Sequence, residues 1–548
     1  IRCGAATCVT TRRPSRRDGG GWAGVADKLS TTRPMGGALF GSPLARAHVG
    51  ILWQQRWPMV SQRWEPPVVY SRREEKGMSE LRRRSRRISE RALAMLCSAC
   101  VGALLVGDAA AVERVTDLDT AASFPASAVG STGVLYVAWQ DARGPDDDLY
   151  GQAYAADGET LWAPNGIPLV ATARNQRTPI VTPDGEGGVI VVWMDARNGG
   201  TDVYAQRFDV AGTPLWEPAD GIPVAVTPGG KDDTKVVSDG QSGCFIAWED
   251  WRQGNQDIFG QHLNSDGEAM WEPDGGVVCG APGHQYDPFI SADGAGGVVV
   301  AWWDVAFPHW RVAAQRMCAD GARAWPDAGT PVSLTEGNQA APQIVGDTRG
   351  GAYVFWVDYR ADGGTFTNFD LYSQHVTADG ARAWGDEGRP LCTAIGMQQT
   401  VSAIPDGAGG AYIAWTDQRE LFDDLYAQRL LADASWAWPA DGLPVSTERG
   451  RQRDARLAAD GDSLLVAWYD YRRESEDATP QDLYIQRFDK DGAPAMDVGG
   501  KPVVTEDGVR LAMQIHARNG RVAITWMDRR DAGAEPDVHA WLGALASQ

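Results

Sequence analysis

Short apolar runs alternate with polar, glycine-rich turns along most of the chain, and residues 178–227 show the pattern clearly. Residues 178–183 (TPIVTP) are largely apolar, and 184–188 (DGEGG) carry a hairpin turn signal. A continuous, mostly β-branched run follows at 188–193 (GVIVVW), then an alternating segment at 202–209 (DVYAQRFD) and another apolar one at 221–227 (GIPVAVT). The pattern predicts four short strands, which form one small antiparallel sheet.

The same unit recurs along the chain, marked by three sequence pieces. The first piece, W-x-D, begins at Trp139, Trp193, Trp248, Trp302, Trp356, Trp415, Trp468 and Trp526. Seven of these copies continue as D-x-R, and the copy at Trp302 does not. The second piece reads Asp-x-Tyr in most copies. The third, G-x-x-x-W, ends in Trp162, Trp216, Trp271, Trp325, Trp384 and Trp438.

These pieces predict a structural role rather than a catalytic one. An active site needs one asymmetric set of residues, and a motif repeated eight times does not provide it. We expect the tryptophans to pack between neighbouring sheets. We expect Asp and Arg to pair across sheets or to hold the backbone.

The repeats predict an all-β fold, an eight-bladed β-propeller of four-stranded antiparallel blades over residues 112–548. One small sheet cannot bury both faces of its apolar strands, but a ring of such sheets can. The segment VERVTDL, from residue 112, resembles IPVAVTP at 222–228, a fourth-strand segment. We therefore expect the N-terminal strand to complete the last blade and close the ring.

The charge of the chain is divided unevenly. Residues 1–111 carry a net charge of +11 and the remainder carries −32, within a total of −21. A body with this negative charge repels the phosphate backbone of nucleic acids. We therefore expect no nucleic-acid partner. No 18-residue apolar run is present, so no transmembrane helix is expected.

The segment 78–111 has the three parts of a secretory signal peptide. Residues 82–91 are rich in arginine, an apolar stretch follows at 92–107, and alanines at 109–111 form a small-residue cleavage site. Residues 1–77 are then either a non-native upstream extension or a disordered one. The predicted location is secreted, in the periplasm or at the cell surface.

The third piece carries a family resemblance. Residues 208–216 (FDVAGTPLW), 264–271 (NSDGEAMW) and 377–384 (TADGARAW) resemble the tryptophan-docking motif of quinoprotein-type eight-bladed propellers. The missing threonine and the shorter Asp-to-Gly spacing depart from that motif. The resemblance implies the non-enzymatic scaffold members, because quinone-binding members carry an adjacent cysteine pair. The cysteines after residue 111 are scattered, at Cys244, Cys279, Cys318 and Cys392.

No cofactor is therefore predicted. Cys244 and Cys279 either bridge neighbouring strands or remain buried thiols. Calcium is an open alternative at the acidic loop Asp146-Asp147-Asp148, and a solvated charge run is the other.

The candidate binding residues lie in loops that should share one face of the ring. Five loops carry a glutamine at the same place, and their amides could bind sugar hydroxyls or satisfy neighbouring backbone groups: Gln176, Gln285, Gln339, Gln398 and Gln452. The irregular fourth repeat adds His309 and Trp310, either a carbohydrate platform or a decayed repeat.

The sequence thus predicts a secreted or cell-surface module that binds glycans or proteins through loops on one face. The alternative is a carbohydrate-active hydrolase or lyase that uses acidic residues over the central channel. A clustered pair of carboxylates would favour the enzyme, and a symmetric ring of glutamines would favour the binding module. The sequence identifies no catalytic residue.

Overall fold

Every repeat folds into the predicted sheet. The structure is a computed structural model that describes residues 111–117, 120–306, 309–361, 368–420, 422–474, 480–529 and 535–544. The predicted extension (1–77) and the predicted signal peptide, apart from its last residue, lie outside the described residues. Within the described ranges no helix is long and apolar enough to cross a membrane.

The strands group into eight antiparallel sheets of four. Blades 1 to 4 contain β2 to β17, which span Ala122–Val129, Leu135–Asp141, Asp148–Tyr154 and Ile167–Val170; Gln176–Pro183, Val189–Asp195, Asp202–Phe208 and Ile222–Ala225; Lys231–Ser238, Cys244–Asp250, Asp257–Leu263 and Gly276–Cys279; His284–Ala292, Val298–Ala306, His309–Met317 and Thr330–Pro331. Blades 5 to 7 contain β18 to β29, which span Gln339–Gly346, Ala352–Asp358, Asp370–Val376 and Arg389–Cys392; Gln398–Pro405, Ala411–Asp417, Asp424–Leu430 and Leu443–Ser446; Gln452–Asp460, Ser463–Asp470, Asp482–Phe488 and Lys501–Val504.

Blade 8 confirms the predicted closure. Its own strands are β30 (Val509–Arg518), β31 (Arg521–Arg529) and β32 (Asp537–Ala544), and β1 (Ala111–Arg114) pairs antiparallel with β32 as the outer strand. The first strand of each blade contacts the first strand of the next, and β30 contacts β2, so the ring is closed. The all-β, eight-bladed propeller is thus confirmed.

The ring has two faces that carry different connections. The upper face carries the loops that join second to third strands, and those that lead from one blade into the first strand of the next. The lower face carries the turns that join first to second strands and third to fourth strands.

The aspartate and arginine of the W-x-D-x-R motif form an ion pair within their own blade in blades 1, 2, 3, 5, 6 and 7. In blade 1, Asp141 accepts hydrogen bonds from Trp139 Nε1 at 2.8 Å and from Arg143 Nε and Nη2 at 2.9 and 2.6 Å. Arg143 also donates to the carbonyl of Asn165 at 2.9 Å, and its guanidinium lies 3.7 Å from the centroid of the Tyr150 ring. All these partners belong to one blade, so the expectation of pairing across blades was wrong, and the alternative of holding the backbone was right.

The tryptophans pack between blades, as predicted. Trp162 of blade 1 and Trp193 of blade 2 belong to one buried apolar cluster, and equivalent clusters occupy the other junctions. Each blade thereby buries both faces of its central strands. Cys244 and Cys279 are buried free thiols, so the bridged alternative is not formed.

Candidate functional site

The upper end of every first strand contains a β-bulge. The pairing register shifts there in all eight blades, and one residue of each bulge has a positive φ between 44° and 56°. These residues, here the bulge ring, are Phe124, Thr178, Asp233, Asp287, Ala341, Thr400, Asp454 and Ala512. Non-glycine residues with positive φ are uncommon and cluster at functional sites, and bulges re-aim side chains.

A cavity opens beside the bulge ring. It has a volume of about 270 Å³, and four members of the ring line it: Phe124, Thr178, Asp233 and Ala512. These come from the first strands of blades 1, 2, 3 and 8, so the cavity lies at the upper end of the central channel. The bulge ring therefore supplies side chains to the channel mouth.

The five predicted glutamines lie two residues before members of the bulge ring. Gln176, Gln285, Gln339, Gln398 and Gln452 are all buried. Their amides bond within their own surroundings: Gln176 Nε2 donates to the Arg174 carbonyl at 2.9 Å, and Gln398 Nε2 to the Ala394 carbonyl at 3.1 Å. Gln285 and Gln452 donate to carbonyls of their own loops in the same way, whereas the Oε1 atoms of Gln285, Gln398 and Gln452 have no partner among the described residues. Both alternatives, backbone bonding and sugar binding by these amides, stay predictions.

Three carboxylates meet between blades 3 and 4. Asp233 of β10, Glu249 of β11 and Asp287 of β14 place ligand oxygens within 4.8 Å of one another, and we call this set the acidic cluster. Glu249 is buried and accepts hydrogen bonds from Gln256 Nε2 at 2.6 Å and from the Asp287 backbone amide at 2.8 Å. Asp233 forms an ion pair with Lys235.

Burial sets the electrostatics of the acidic cluster. Burial, with a smaller contribution from neighbouring aspartates, raises the pKa of Glu249 to about 7 and that of Asp287 to about 6. Groups with such pKa values exchange protons near neutral pH, which general acid–base catalysis requires. Three carboxylates could also bind a hard divalent cation, but Glu249 and Asp233 already have protein partners.

A run of aromatic rings leads away from the acidic cluster along the upper face. Trp251 lies 6.0 Å from His284, His284 5.7 Å from Tyr286, Tyr286 5.8 Å from Trp303, and Trp303 5.2 Å from Trp310, measured between ring centroids. We call these five side chains the aromatic run. Trp251 is 41% exposed and the other four are partly exposed.

The irregular fourth blade produces this run. Its second and third strands are nine residues each instead of the usual seven, and Ala306 pairs with His309 at the end of the hairpin. The longer hairpin carries Trp310 across the sheet to Trp303. The structure thus brings Trp310 into a cluster, and His309, also partly exposed, lies at the tip of the same hairpin.

Sequence reasoning missed the acidic cluster and Trp303. Glu249 and Trp303 both occupy the middle position of W-x-D, which is not one of the recurrent residues of the motif. In the described structure this side chain contacts the bulge of the next blade: Tyr469, for example, accepts a hydrogen bond from the Met513 amide at 3.0 Å. The middle position varies from copy to copy, and that variation was the available signal.

The acidic loop at 146–148 is held by arginines. Asp146 accepts a hydrogen bond from the Arg174 backbone amide at 2.9 Å, and Asp147 forms an ion pair with Arg177 at 2.7 Å. These contacts give both carboxylates protein partners. Calcium binding at this loop stays an untested prediction.

No family model and no curated protein sequence matches the chain. Among solved structures, the polysaccharide lyase Uly1 is 9% identical with a TM-score of 0.41, covering 79% of this chain and 99% of that one. A protein of unknown function from Dyadobacter fermentans is 10% identical (TM-score 0.36, 79% and 99% covered). A puromycin-hydrolysing peptidase from Mycobacterium tuberculosis is 14% identical (TM-score 0.40, 75% and 57% covered). Such low scores carry no functional argument, and membership of the quinoprotein-type family is not shown.

Proposed function

We propose that this protein is a secreted or cell-surface module that binds carbohydrate on its upper face, at the junction of blades 3 and 4. The observation that carries the proposal is the aromatic run beside the acidic cluster. Sugar rings have apolar C–H faces that stack on aromatic side chains, and hydroxyl groups that donate to carboxylates. The net charge of the body favours neutral or cationic glycans over anionic ones.

The first test is a binding screen with the purified protein. Neutral, amino and acidic oligosaccharides are titrated by calorimetry, and each hit is repeated with Trp310→Ala. We expect a neutral or amino sugar to bind and Trp310→Ala to weaken it at least tenfold, a loss of about 1.4 kcal/mol. Trp436→Ala is the matched control, because Trp436 is a partly exposed tryptophan outside this site. Equal affinity of wild type and Trp310→Ala would refute the proposed location.

A second candidate function is cleavage of the bound glycan, and the acidic cluster favours it. Asp287 is the more accessible member with a raised pKa, which suits a general acid, and Asp233 is a second carboxylate within 4.8 Å. In hydrolysis the acid would protonate the glycosidic oxygen while a carboxylate acts on the sugar carbon or on water. The short separation is nearer to the spacing of retaining enzymes.

Activity and binding are separated by one pair of measurements. Any glycan that binds is incubated with wild type and with Asp287→Asn, and new reducing ends or unsaturated products are quantified. Cleavage by wild type that Asp287→Asn abolishes, with binding retained, would establish the enzyme. Binding without any product would establish a binding module. If no glycan binds, the remaining alternative is a protein-binding scaffold.

We infer that the resemblance to tryptophan-docking propellers is architectural. It is supported by tryptophan indoles that donate hydrogen bonds to the next blade, such as Trp216 Nε1 to the Ser265 carbonyl at 2.9 Å. We propose no quinone cofactor for this chain.

A further inference from the structure

The same tryptophan contact recurs between neighbouring blades on the lower face, and we call the place that the indole occupies the indole socket. The third-piece tryptophan of one blade inserts beneath the turn that joins the third and fourth strands of the next, and its Nε1 donates to a turn carbonyl. The donor–acceptor pairs are Trp162 to Val210 (3.0 Å), Trp216 to Ser265 (2.9 Å), Trp271 to Ala319 (3.0 Å), Trp325 to Ala378 (3.1 Å) and Trp438 to Lys490 (3.3 Å). Five junctions thus have an indole in the same place.

The junction of blade 8 with blade 1 has the same turn but a different donor. Ala156 occupies the position of Val210 in the turn, and its carbonyl accepts a hydrogen bond from Arg521 instead of an indole. At the turn glycine the contrast is direct. A Cβ on Gly212 would lie 3.2 Å from the Trp162 ring, whereas a Cβ on Gly158 would meet only Leu542, at 3.8 Å.

A cavity of about 540 Å³ lies at this junction, and none of the described residues that line it is a tryptophan. The turn residues 155–158 form one wall. Apolar side chains, including Leu135, Val522 and Leu542, form another. The junction therefore keeps the turn under which an indole packs at the other junctions, and its cavity has room for a planar ring.

Two arginines give the cavity a positive charge, whereas the body of the protein is strongly negative. Arg518 and Arg521 line it and are exposed, and Asp157 is the one carboxylate among its described lining residues. His516 also lines it, and burial lowers its pKa to about 4, so it is neutral at physiological pH. The lining thus has a net charge of +1 at neutral pH, within a body of net charge −32.

We propose that this cavity binds a small aromatic carboxylate. The ring would take the place that an indole takes at the five equivalent junctions, and the carboxylate would pair with Arg518 or Arg521. The site lies on the lower face, away from the aromatic run and the acidic cluster, so it is independent of the proposed carbohydrate site.

The test uses three related probes and the whole purified protein. Indole-3-acetate, neutral indole and cationic tryptamine are titrated, with binding followed by saturation-transfer NMR and calorimetry. We expect indole-3-acetate to bind best and tryptamine worst. Arg518→Gln should weaken indole-3-acetate about fivefold and leave indole unchanged, since one exposed charge pair is lost. Arg529→Gln, an exposed arginine of the same blade at its upper end, is the matched control.

A second variant tests the position of the ring. Leu542→Trp places an indole in the cavity, and it should abolish binding of all three probes while keeping the thermal midpoint. Binding of indole-3-acetate by Leu542→Trp as strong as by wild type would overturn the proposed site. Absence of saturable binding by wild type would overturn the proposal altogether. Tighter binding of neutral indole than of indole-3-acetate would overturn the carboxylate preference. Trp310→Ala should bind indole-3-acetate normally.

Discussion

The W-x-D-x-R motif predicts a large difference between two formally identical substitutions, Asp417→Asn and Asp304→Asn. Asp417 of blade 6 is fully buried and accepts hydrogen bonds from Trp415 Nε1 at 2.9 Å and from Arg419 N, Nε and Nη2 at 2.9, 2.9 and 2.7 Å. Asparagine keeps one acceptor but leaves the Arg419 guanidinium without its counter-charge. Breaking a buried ion pair from one side costs about 3–5 kcal/mol.

We expect the lower end of that range, about 3 kcal/mol, for two reasons. Arg419 retains 18% side-chain exposure and its bond to the Asp441 carbonyl. Loss of the Asp417 charge also relieves its repulsion with Asp424, whose pKa is raised to about 6 by burial and neighbouring carboxylates.

Asp304 of blade 4 occupies the same motif position without these partners. Its carboxylate accepts a long hydrogen bond from Gln285 Nε2 at 3.4 Å, and Trp302 Nε1 has no partner among the described residues. Burial raises the pKa of Asp304, so its charged form is poorly stabilised. Asp304→Asn should therefore change the free energy of unfolding by less than about 1 kcal/mol, in either direction.

The assay is urea denaturation followed by tryptophan fluorescence, with the slope of free energy against urea compared among the three proteins. An unchanged slope with a lower midpoint for Asp417→Asn alone would support the reasoning. Equal losses for the two variants would refute it, because the motif's contribution would then not depend on the arginine.

Three further predictions follow from other parts of the ring. Asp424→Asn should raise the thermal midpoint more at pH 7.5 than at pH 4.5. Burial and neighbouring carboxylates raise the folded pKa of Asp424 to about 6, above its unfolded value, so the ionised carboxylate lowers stability from the unfolded pKa upward, and the full cost that the amide removes is reached only above pH 6. The exposed control Asp433→Asn should show no such gain, and scanning calorimetry at both pH values measures the difference. Gln398→Ala should cost about 1–3 kcal/mol in urea denaturation without altering ligand affinity, since its buried amide bonds to its own loop. Trp438→Ala should cost about 3–5 kcal/mol in the same assay, because a buried indole and its bond to Lys490 are lost, and a loss below 1 kcal/mol would contradict the docking role.

The number, order and closure of the blades could be predicted because they follow from local patterns repeated many times. The predicted segment 188–193 corresponds to β7, Val189–Asp195, and 202–209 corresponds to β8, Asp202–Phe208. Both strands extend to the motif aspartates because Asp195 and Asp202 face each other across the hairpin. A continuous apolar run of this length, bounded by turns, indicates a buried strand, because helices are usually longer.

The channel-facing residues could not be predicted in the same way. Alternation along an ideal strand assigns a side chain to one face, but each first strand contains a bulge that shifts the register near its upper end. The candidate glutamines therefore face inward into their own loops, and the residues two positions later, such as Asp287, form the bulge ring. A positive φ at aspartate or threonine leaves no clear mark in the sequence.

The acidic cluster depends on contacts between blades, which no local pattern encodes. Asp233 and Asp287 are one repeat apart in sequence, and Glu249 meets both only because the middle side chain of W-x-D contacts the bulge of the next blade. Eight equivalent positions exist for each of these residues. Carboxylates occupy the bulge positions of blades 3 and 4 together with a glutamate between them, and this coincidence appears only after the ring is closed.

Symmetry also explains why the candidate site lies at blades 3 and 4. A ring of equal blades presents equal surfaces, so a single asymmetric site requires blades that depart from the repeat. Blade 4 lacks the D-x-R arginine, and with it the internal bonds that close the second-to-third-strand loop in blade 1. Its hairpin is longer instead, and it carries Trp303 and Trp310 to the upper face. Asp304 therefore lacks the tryptophan and arginine hydrogen bonds that the motif aspartate has in blade 1. Replacing Trp303 and Trp310 together by alanine should therefore weaken glycan binding in calorimetry and change the midpoint of urea denaturation little.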